Sequence, residues 1–316
     1  MNKKEFNNVT PAKVISFINM KGGVGKTTLT VNLAYEITEY SNLRVLVIDI
    51  DPQFNTTQSL LNHFSKLDIY EELQLKSDTI VKVFEKSNKK KATLSKGEPD
   101  NESTLPIQNL NSQLSIIPGD LYLTNEIDST RADRLRPFLE KNDLLNDFDL
   151  VFIDCPPTWS LYSQAALKAS DYFVIPSKLD EFSLYGIKIL LEKVEDVIDS
   201  NKKLSCLGAI YTMISENKAA SGINRKQTEN KEKIESFFEN EAIEEFNIHV
   251  KPFRSILTFH NRLSYESVFY ELQREKKEAV CQEMQDLRDE FLSKLKIMIK
   301  RKKEVDIDGD KNLQLI

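Results

Sequence analysis

The chain is poor in the residues on which several protein classes depend. Three cysteines in 316 residues, an odd number without metal-ligand spacing, exclude a disulfide framework and point to a reducing cytosol. Cys155, Cys206 and Cys281 also lack the spacing of an iron–sulfur cluster. Cys155, in an apolar strand end, reads as a small core residue rather than a nucleophile. His63, His249 and His260 are scattered and form no ligand set. No apolar run approaches the length of a membrane span, and Met1 to Thr10 is polar, without a signal-peptide core. Positive charge is not in excess: 43 Lys and Arg against 49 Asp and Glu leave a net charge of −6. Binding to nucleic acid would therefore need a local basic patch. Internal repeats are absent. Glycine is scarce, nine residues, and three of them stand together at Gly22, Gly23 and Gly25.

Those glycines belong to the run Lys21-Gly22-Gly23-Val24-Gly25-Lys26-Thr27-Thr28. Before it lies Val14 to Ile18, a β-branched apolar run typical of a buried strand. After it, Leu29, Val31, Leu33, Ala34 and Ile37 are spaced for a helix packed on a sheet. Strand, glycine loop and helix form the context of a phosphate-binding loop. Glycines let the backbone approach oxygen atoms, and the loop N–H groups with the helix N-terminus offer an anion site. In such a loop Lys26 reaches the β- and γ-phosphates and the Thr27 hydroxyl ligates Mg²⁺. Two more apolar strands end in acids: Arg44 to Ile48 runs into Asp49, Ile50 and Asp51, and Leu150 to Ile153 runs into Asp154. Carboxylates at strand ends lie where open α/β sheets bind ligands, and they suit Mg²⁺.

An ordinary phosphate loop needs no lysine at its first position. Lys21 to Thr28 resembles the deviant Walker A motif of the ParA/MinD family of ATPases. Asp49-Ile50-Asp51-Pro52-Gln53 resembles that family's IDxDPQ segment, and Ile153-Asp154-Cys155-Pro156-Pro157 its IDxPP segment. Leu114 to Pro118 resembles its LxxIP strand, and Pro176 with Leu184-Tyr185-Gly186 its P…LxG segment. The resemblance spans roughly residues 13 to 290, tight at the nucleotide site and loose elsewhere. It implies ATP and Mg²⁺ as cofactors, with Lys21 to Thr28 around the phosphates and the segment at Pro252 as a wall for the adenine. It also implies that Thr27, Asp49 and Asp154 serve the metal, the two acids through water, and that Asp51 positions or deprotonates the attacking water. Lys21 would act on the phosphates of a second copy, much as an arginine finger does.

Alternating strands and helices predict an α/β fold: a doubly wound, mostly parallel sheet with helices on both faces. Strands are expected at Leu114 to Pro118, Tyr172 to Pro176, within Leu204 to Ile214, and last at Ile248 to Val250. Helices are expected at Leu121 to Ile127, Asp133 to Leu145, Trp159 to Ala169, Leu184 to Ile198 and Asn224 to Phe238. Residues 1–304 would form one ATPase domain and 305–316 a polar tail. Ser87 to Pro106, with Lys89-Lys90-Lys91, reads as a solvated loop insert, placed at 88–106. A C-terminal helix over 266–303 carries Met284, Leu287, Phe291, Leu295 and Met298 on one face. With an acidic tail after Lys300-Arg301-Lys302-Lys303, this helix reads as docked on the domain rather than lying on a membrane.

Members of the family of the ParA type bind DNA without sequence preference when loaded with ATP. The corresponding cations here are Arg225, Lys226, Arg254 and Arg262, although Lys251-Pro252-Phe253-Arg254 departs from the family's PR element. Few residues precede the first strand, too few for an N-terminal helix-turn-helix domain, so site recognition would fall to a partner. The resemblance therefore implies a cytoplasmic, nucleoid-associated partitioning ATPase with slow intrinsic turnover. It would bind DNA non-specifically as an ATP-bridged homodimer and be released by a ParB-like centromere-binding protein. Its alternatives are a MinD-like membrane-associated positioning ATPase and a nucleotide-gated scaffold.

Overall fold

The computed structural model describes residues 10–85, 105–124, 127–215, 223–259 and 278–297. The expectations for residues 88–104, Arg262, Met298, Lys300 to Lys303 and the tail lie outside the described residues. In chain order the elements are β1 (Lys13–Phe17), α1 (Lys26–Ser41), β2 (Val45–Asp49), α2 (Asn55–His63), α3 (Tyr70–Leu75) and α4 (Val81–Phe84). Then follow β3 (Gln108–Asn109), β4 (Leu114–Ile117), α5 (Ser129–Ala132), α6 (Leu135–Lys141), α7 (Leu144–Asp147), β5 (Leu150–Asp154) and α8 (Leu161–Ala169). The remainder is β6 (Tyr172–Ser177), α9 (Ser183–Ser200), β7 (Ser205–Ile214), α10 (Arg225–Glu239), α11 (Glu241–Phe246), β8 (Ile256–Thr258) and α12 (Glu278–Lys294).

All eight strands join one sheet in the order β3-β4-β2-β5-β1-β6-β7-β8. Among the described residues only the short β3 runs antiparallel, and the other pairings are parallel. The strands read as continuous apolar runs because both faces of the sheet are covered. Side chains alternate between two cores: Val14, Leu46, Val151 and Phe173 pack under α6, α8, α9 and α10. Ile15, Phe17, Val47 and Phe152 pack under α1, α2 and α12. Met284, Leu287, Phe291 and Leu295 are buried in that second core, so the apolar face of α12 is closed off by its own sheet.

Three expected elements differ. Ile248 to Val250 is not a strand; the last strand is β8, and Phe253 is the first residue of that segment to bond β7, through its N–H to the Ala209 carbonyl at 2.8 Å. Gly208 permits that approach. Its φ is +147°, and a Cβ there would lie 2.3 Å from the Lys251 carbonyl oxygen. Of the helix expected from Leu121 to Ile127, the described part Leu121–Thr124 is a 3₁₀ turn, started by an Asp120 carboxylate that accepts the Tyr122 N–H at 3.0 Å, and residues 125 and 126 lie outside the described residues. The single helix expected from Asp133 to Leu145 is broken into α6 and α7 at Asp143, whose φ is +60°. The two-residue β3 and the short α2 to α5 have no periodic signal to announce them.

Candidate phosphate and metal site at the carboxyl edge of the sheet

Register brings the three motifs together. Asp49 of β2 stands beside Asp154 of β5, and Asp154 beside Phe17, the last residue of β1, which three residues separate from the loop that starts at Lys21. Gly23 and Gly25 have φ of +64° and +81°, conformations that L side chains rarely adopt. The second opens α1 without a side-chain cap, which leaves the first-turn N–H groups for an anion. The loop is anchored from two sides. The Thr212 hydroxyl on β7 donates to the Val24 carbonyl at 2.7 Å, and the Asn19 amide donates to the Pro176 carbonyl at 2.8 Å while its oxygen accepts the Lys21 N–H at 2.9 Å.

Lys26 is 7% exposed, and its ammonium donates to the carbonyls of Asn19 and Lys21, each at 3.3 Å. Burial lowers its pKa, opposed by the charge of Asp154. Long bonds to carbonyls are weak compensation for a desolvated cation, so a phosphate there would be better matched. Lys21 points the other way. Its ammonium pairs with Asp180, which also accepts the Phe182 N–H at 3.1 Å and the Ser183 hydroxyl at 2.9 Å. Burial alone would raise the Asp180 carboxyl, but the bonds from Lys21 and Ser183 outweigh it and lower the pKa.

Three acids converge on the same edge. Asp154 Oδ2 accepts the hydroxyls of Thr27 at 2.7 Å and Thr56 at 2.6 Å. Asp154 Oδ1 is buried and has no hydrogen-bond partner among the described residues. Asp49 accepts the N–H and the hydroxyl of Thr57 at 2.8 and 2.7 Å. Burial, then mutual repulsion with Asp154, raises the Asp49 pKa; burial raises that of Asp154. Asp51 is 7% exposed, accepts the Gln53 N–H at 2.9 Å and is also raised, chiefly by burial. A buried carboxylate oxygen without a donor, beside a threonine hydroxyl at a helix N-terminus, suits a hydrated divalent cation. Cys155 is buried, and burial pushes its thiol up, as befits a core residue.

Residues 12–206 match the family model of an AAA domain, AAA_31. Over 205 residues the chain is 34% identical to the sporulation initiation inhibitor protein Soj of Bacillus subtilis strain 168, an overlap of 64% of this chain and 73% of that protein. The chain belongs to the ParA/Soj family. It is 30% identical over 210 residues to the chromosome partitioning protein ParA of Caulobacter vibrioides strain NA1000, covering 64% of this chain and 70% of that one. A plasmid partition protein from Borrelia burgdorferi B31 bound to AMPPNP has the same fold: TM-score 0.64 at 22% identity, over 90% of this chain and 100% of that one.

Not every expected ParA/Soj-type contact is gathered at this edge. Pro252 is half-buried on the segment that crosses β7 at Gly208 and Ala209, short of Thr212, where the loop packs. Arg225 and Lys226 open α10, beyond the carboxyl end of β7; the Arg225 side chain is 92% exposed and paired with Glu229. Arg254 lies just before β8 rather than just after the last strand. The β7–β8 register sets it about 16 Å back along β7 from Ile214, so these cations are not one cluster. Sequence reasoning passed over Asn19, Thr56, Thr57, Gly119 and Asp180. Thr56 and Thr57 follow the Asp51-Pro52-Gln53 segment directly, a nearby signal. Gly119 has none: its N–H donates to the Thr57 hydroxyl at 2.7 Å, and a Cβ there would lie 2.8 Å from Asp49 Cγ.

Proposed function

We propose that this chain is an ATP-dependent DNA-partitioning ATPase. The observation that carries the nucleotide half is the buried Oδ1 of Asp154, unpartnered among the described residues, beside the Thr27 hydroxyl and at the foot of a glycine loop whose Lys26 ammonium donates to two carbonyls and to no acid among those residues. The partitioning half is supported by kinship with the Soj and ParA proteins. Bound ATP supplies the phosphate transferred to water, and Mg²⁺ the charge that offsets the phosphate oxygens.

The chain's own groups have separate tasks. The N–H groups from Gly22 to Thr28 and the Lys26 ammonium hold phosphate oxygens. Thr27, Asp154 and Asp49 hold the metal and its waters. Asp51 orients the attacking water. Lys21 serves the phosphates of a second copy, so the nucleotide-bound form is a homodimer. Within a single chain Lys21 is held by Asp180, which supports slow intrinsic turnover. The dimer binds DNA through phosphate contacts from Arg225, Lys226, Arg254 and Arg262, and a ParB-like partner triggers release.

The test is fluorescence anisotropy on duplex DNA of arbitrary sequence, with ATP·Mg²⁺, with ADP and with no nucleotide, at two salt concentrations. Binding with ATP alone, weakened by salt through counterion release, is the expected result. Nucleotide binding without DNA binding in any state would overturn the partitioning half and favour a nucleotide-gated scaffold. A membrane-associated positioning role is disfavoured because the apolar face of α12 is already packed on the sheet.

A further inference from the structure

Three lysines surround the glycine loop, and they differ in what holds them. Lys21 is neutralised by Asp180, and Lys26 lies under the loop on two carbonyls. The third, Lys178, follows β6 directly. Its Nζ stands 3.8 Å from the place where a Cβ on Gly23 would be, over the exposed outward bend of the loop. It is half-buried and makes no hydrogen bond or ion pair among the described residues.

The backbone that carries Lys178 is pinned on both sides. The Pro176 carbonyl accepts from Asn19, the Ser177 carbonyl from the Thr212 hydroxyl at 3.4 Å, and the Leu179 carbonyl from Asn230 at 3.2 Å. The Lys178 carbonyl itself accepts the Ser177 hydroxyl at 3.0 Å. Asn19 and Thr212 are the same residues that anchor the glycine loop. The lysine and the loop are therefore referenced to one another through shared side chains. A cation placed this way, with no acid among the described residues to neutralise it, is organised in advance for an anion.

We propose that Lys178 is a terminal-phosphate contact that lets the site distinguish a nucleoside triphosphate from a diphosphate. The assignment rests on the nucleotide-binding reading above. Lys178 belongs to the same short segment as Asp180 and so lies on the Lys21 side of the loop. Gly25 and Thr28 form the opposite limb, with Gly25 closed against Thr212. A diphosphate held by Lys26 and the first turn of α1 leaves Lys178 unengaged; a triphosphate extends toward it. A charge-assisted hydrogen bond of this type changes affinity by roughly tenfold or more.

The experiment compares affinities for AMPPNP·Mg²⁺ and ADP·Mg²⁺ by titration calorimetry in the full chain, Lys178→Gln and Lys178→Arg. The expected result is that Lys178→Gln weakens AMPPNP by about tenfold with ADP nearly unchanged, and that Lys178→Arg restores most of the loss. Because the Lys178 ammonium makes no hydrogen bond or ion pair among the described residues, the Gln variant should melt with the wild type. Equal weakening of both nucleotides, or weakening of neither, overturns the assignment while the nucleotide site stands. Failure of the wild-type chain to bind either nucleotide overturns the nucleotide reading itself, and this assignment with it.

Discussion

Two flanks of the same sheet use polar groups for opposite ends. At the carboxyl edge of β1, β2 and β5, acids and a lysine are buried with incomplete partners among the described residues: Asp154 lacks one donor, Lys26 has long carbonyl contacts, and Asp49 faces Asp154. At the β7–β8–α12 flank the polar groups are well matched. Glu290 accepts the N–H groups of Arg254 and Ser255 and the Ser255 hydroxyl at 2.8–3.0 Å, and Glu283 accepts from the N–H and hydroxyl of Thr258 at 2.9–3.0 Å. Arg288 pairs with Glu36 at 3.1 Å and lies over Tyr40, while Phe291 touches Phe17, Phe152 and Phe253. One flank holds unmet interactions that a ligand can satisfy; the other uses satisfied ones to fasten the C-terminal helix.

Substitutions should separate the flanks, in descending order of expected effect. Phe291→Ala empties the centre of the aromatic cluster, so chemical denaturation should show a loss of about 3–5 kcal/mol. Its nucleotide affinity should be retained wherever the protein remains folded. Lys26→Ala should do the reverse: calorimetry should show nucleotide affinity down by roughly a hundredfold, with a melting temperature at or above that of the wild type, because a poorly compensated buried cation is removed. Gly119→Ala spans both kinds of effect. The methyl group must displace Asp49 or Phe54, so stability should fall by about 1–3 kcal/mol and Mg²⁺-dependent hydrolysis with it.

The fourth change reads the strain of the acidic edge directly. Asp49 has a raised pKa in the folded state, so the folded chain holds a proton that the unfolded chain releases. The stability contributed by that proton is present below the ordinary carboxylate range and is lost as pH rises through the higher folded value. Asp49→Asn should therefore stabilise the nucleotide-free protein by about 1 kcal/mol at pH 8, and by less at pH 5, in thermal melts. A gain that does not shrink on acidification would sink this account. The smallest effect is at the outer surface. Arg225→Ala should leave stability within about 0.5 kcal/mol, and should flatten the salt dependence of DNA binding by about one phosphate contact.

Legibility followed chain distance. The glycine loop, its strand and its helix are contiguous, so spacing and residue type sufficed for Lys21 to Thr28. Asp49 and Asp154 were readable because each ends an unbroken apolar strand. The buried face of α12 was readable from the three- and four-residue recurrence of Met284, Leu287, Phe291 and Leu295. Asp180 was not, because its partner Lys21 is 159 positions away and a lone acid after a strand carries no local signal. Ile248 to Val250 has strand composition but not a strand's pairing, since the edge of β7 is first reached at Phe253. Tertiary packing overrode propensity there.

The sequence by itself determined that this chain folds as a parallel α/β sheet with a phosphate loop after its first strand. Those features depend on hydrophobic periodicity and on glycine's access to positive φ, which act over a few residues. Only the tertiary structure decided which acid holds Lys21, which oxygen of Asp154 is left without a donor, and why position 119 must be glycine. It also decided that Glu283 and Glu290 fasten β8 and that Lys178 stands over Gly23. Each of these follows from strand order and register, which bring together side chains far apart in the chain, and neighbours of that kind leave no mark on the local pattern of either partner.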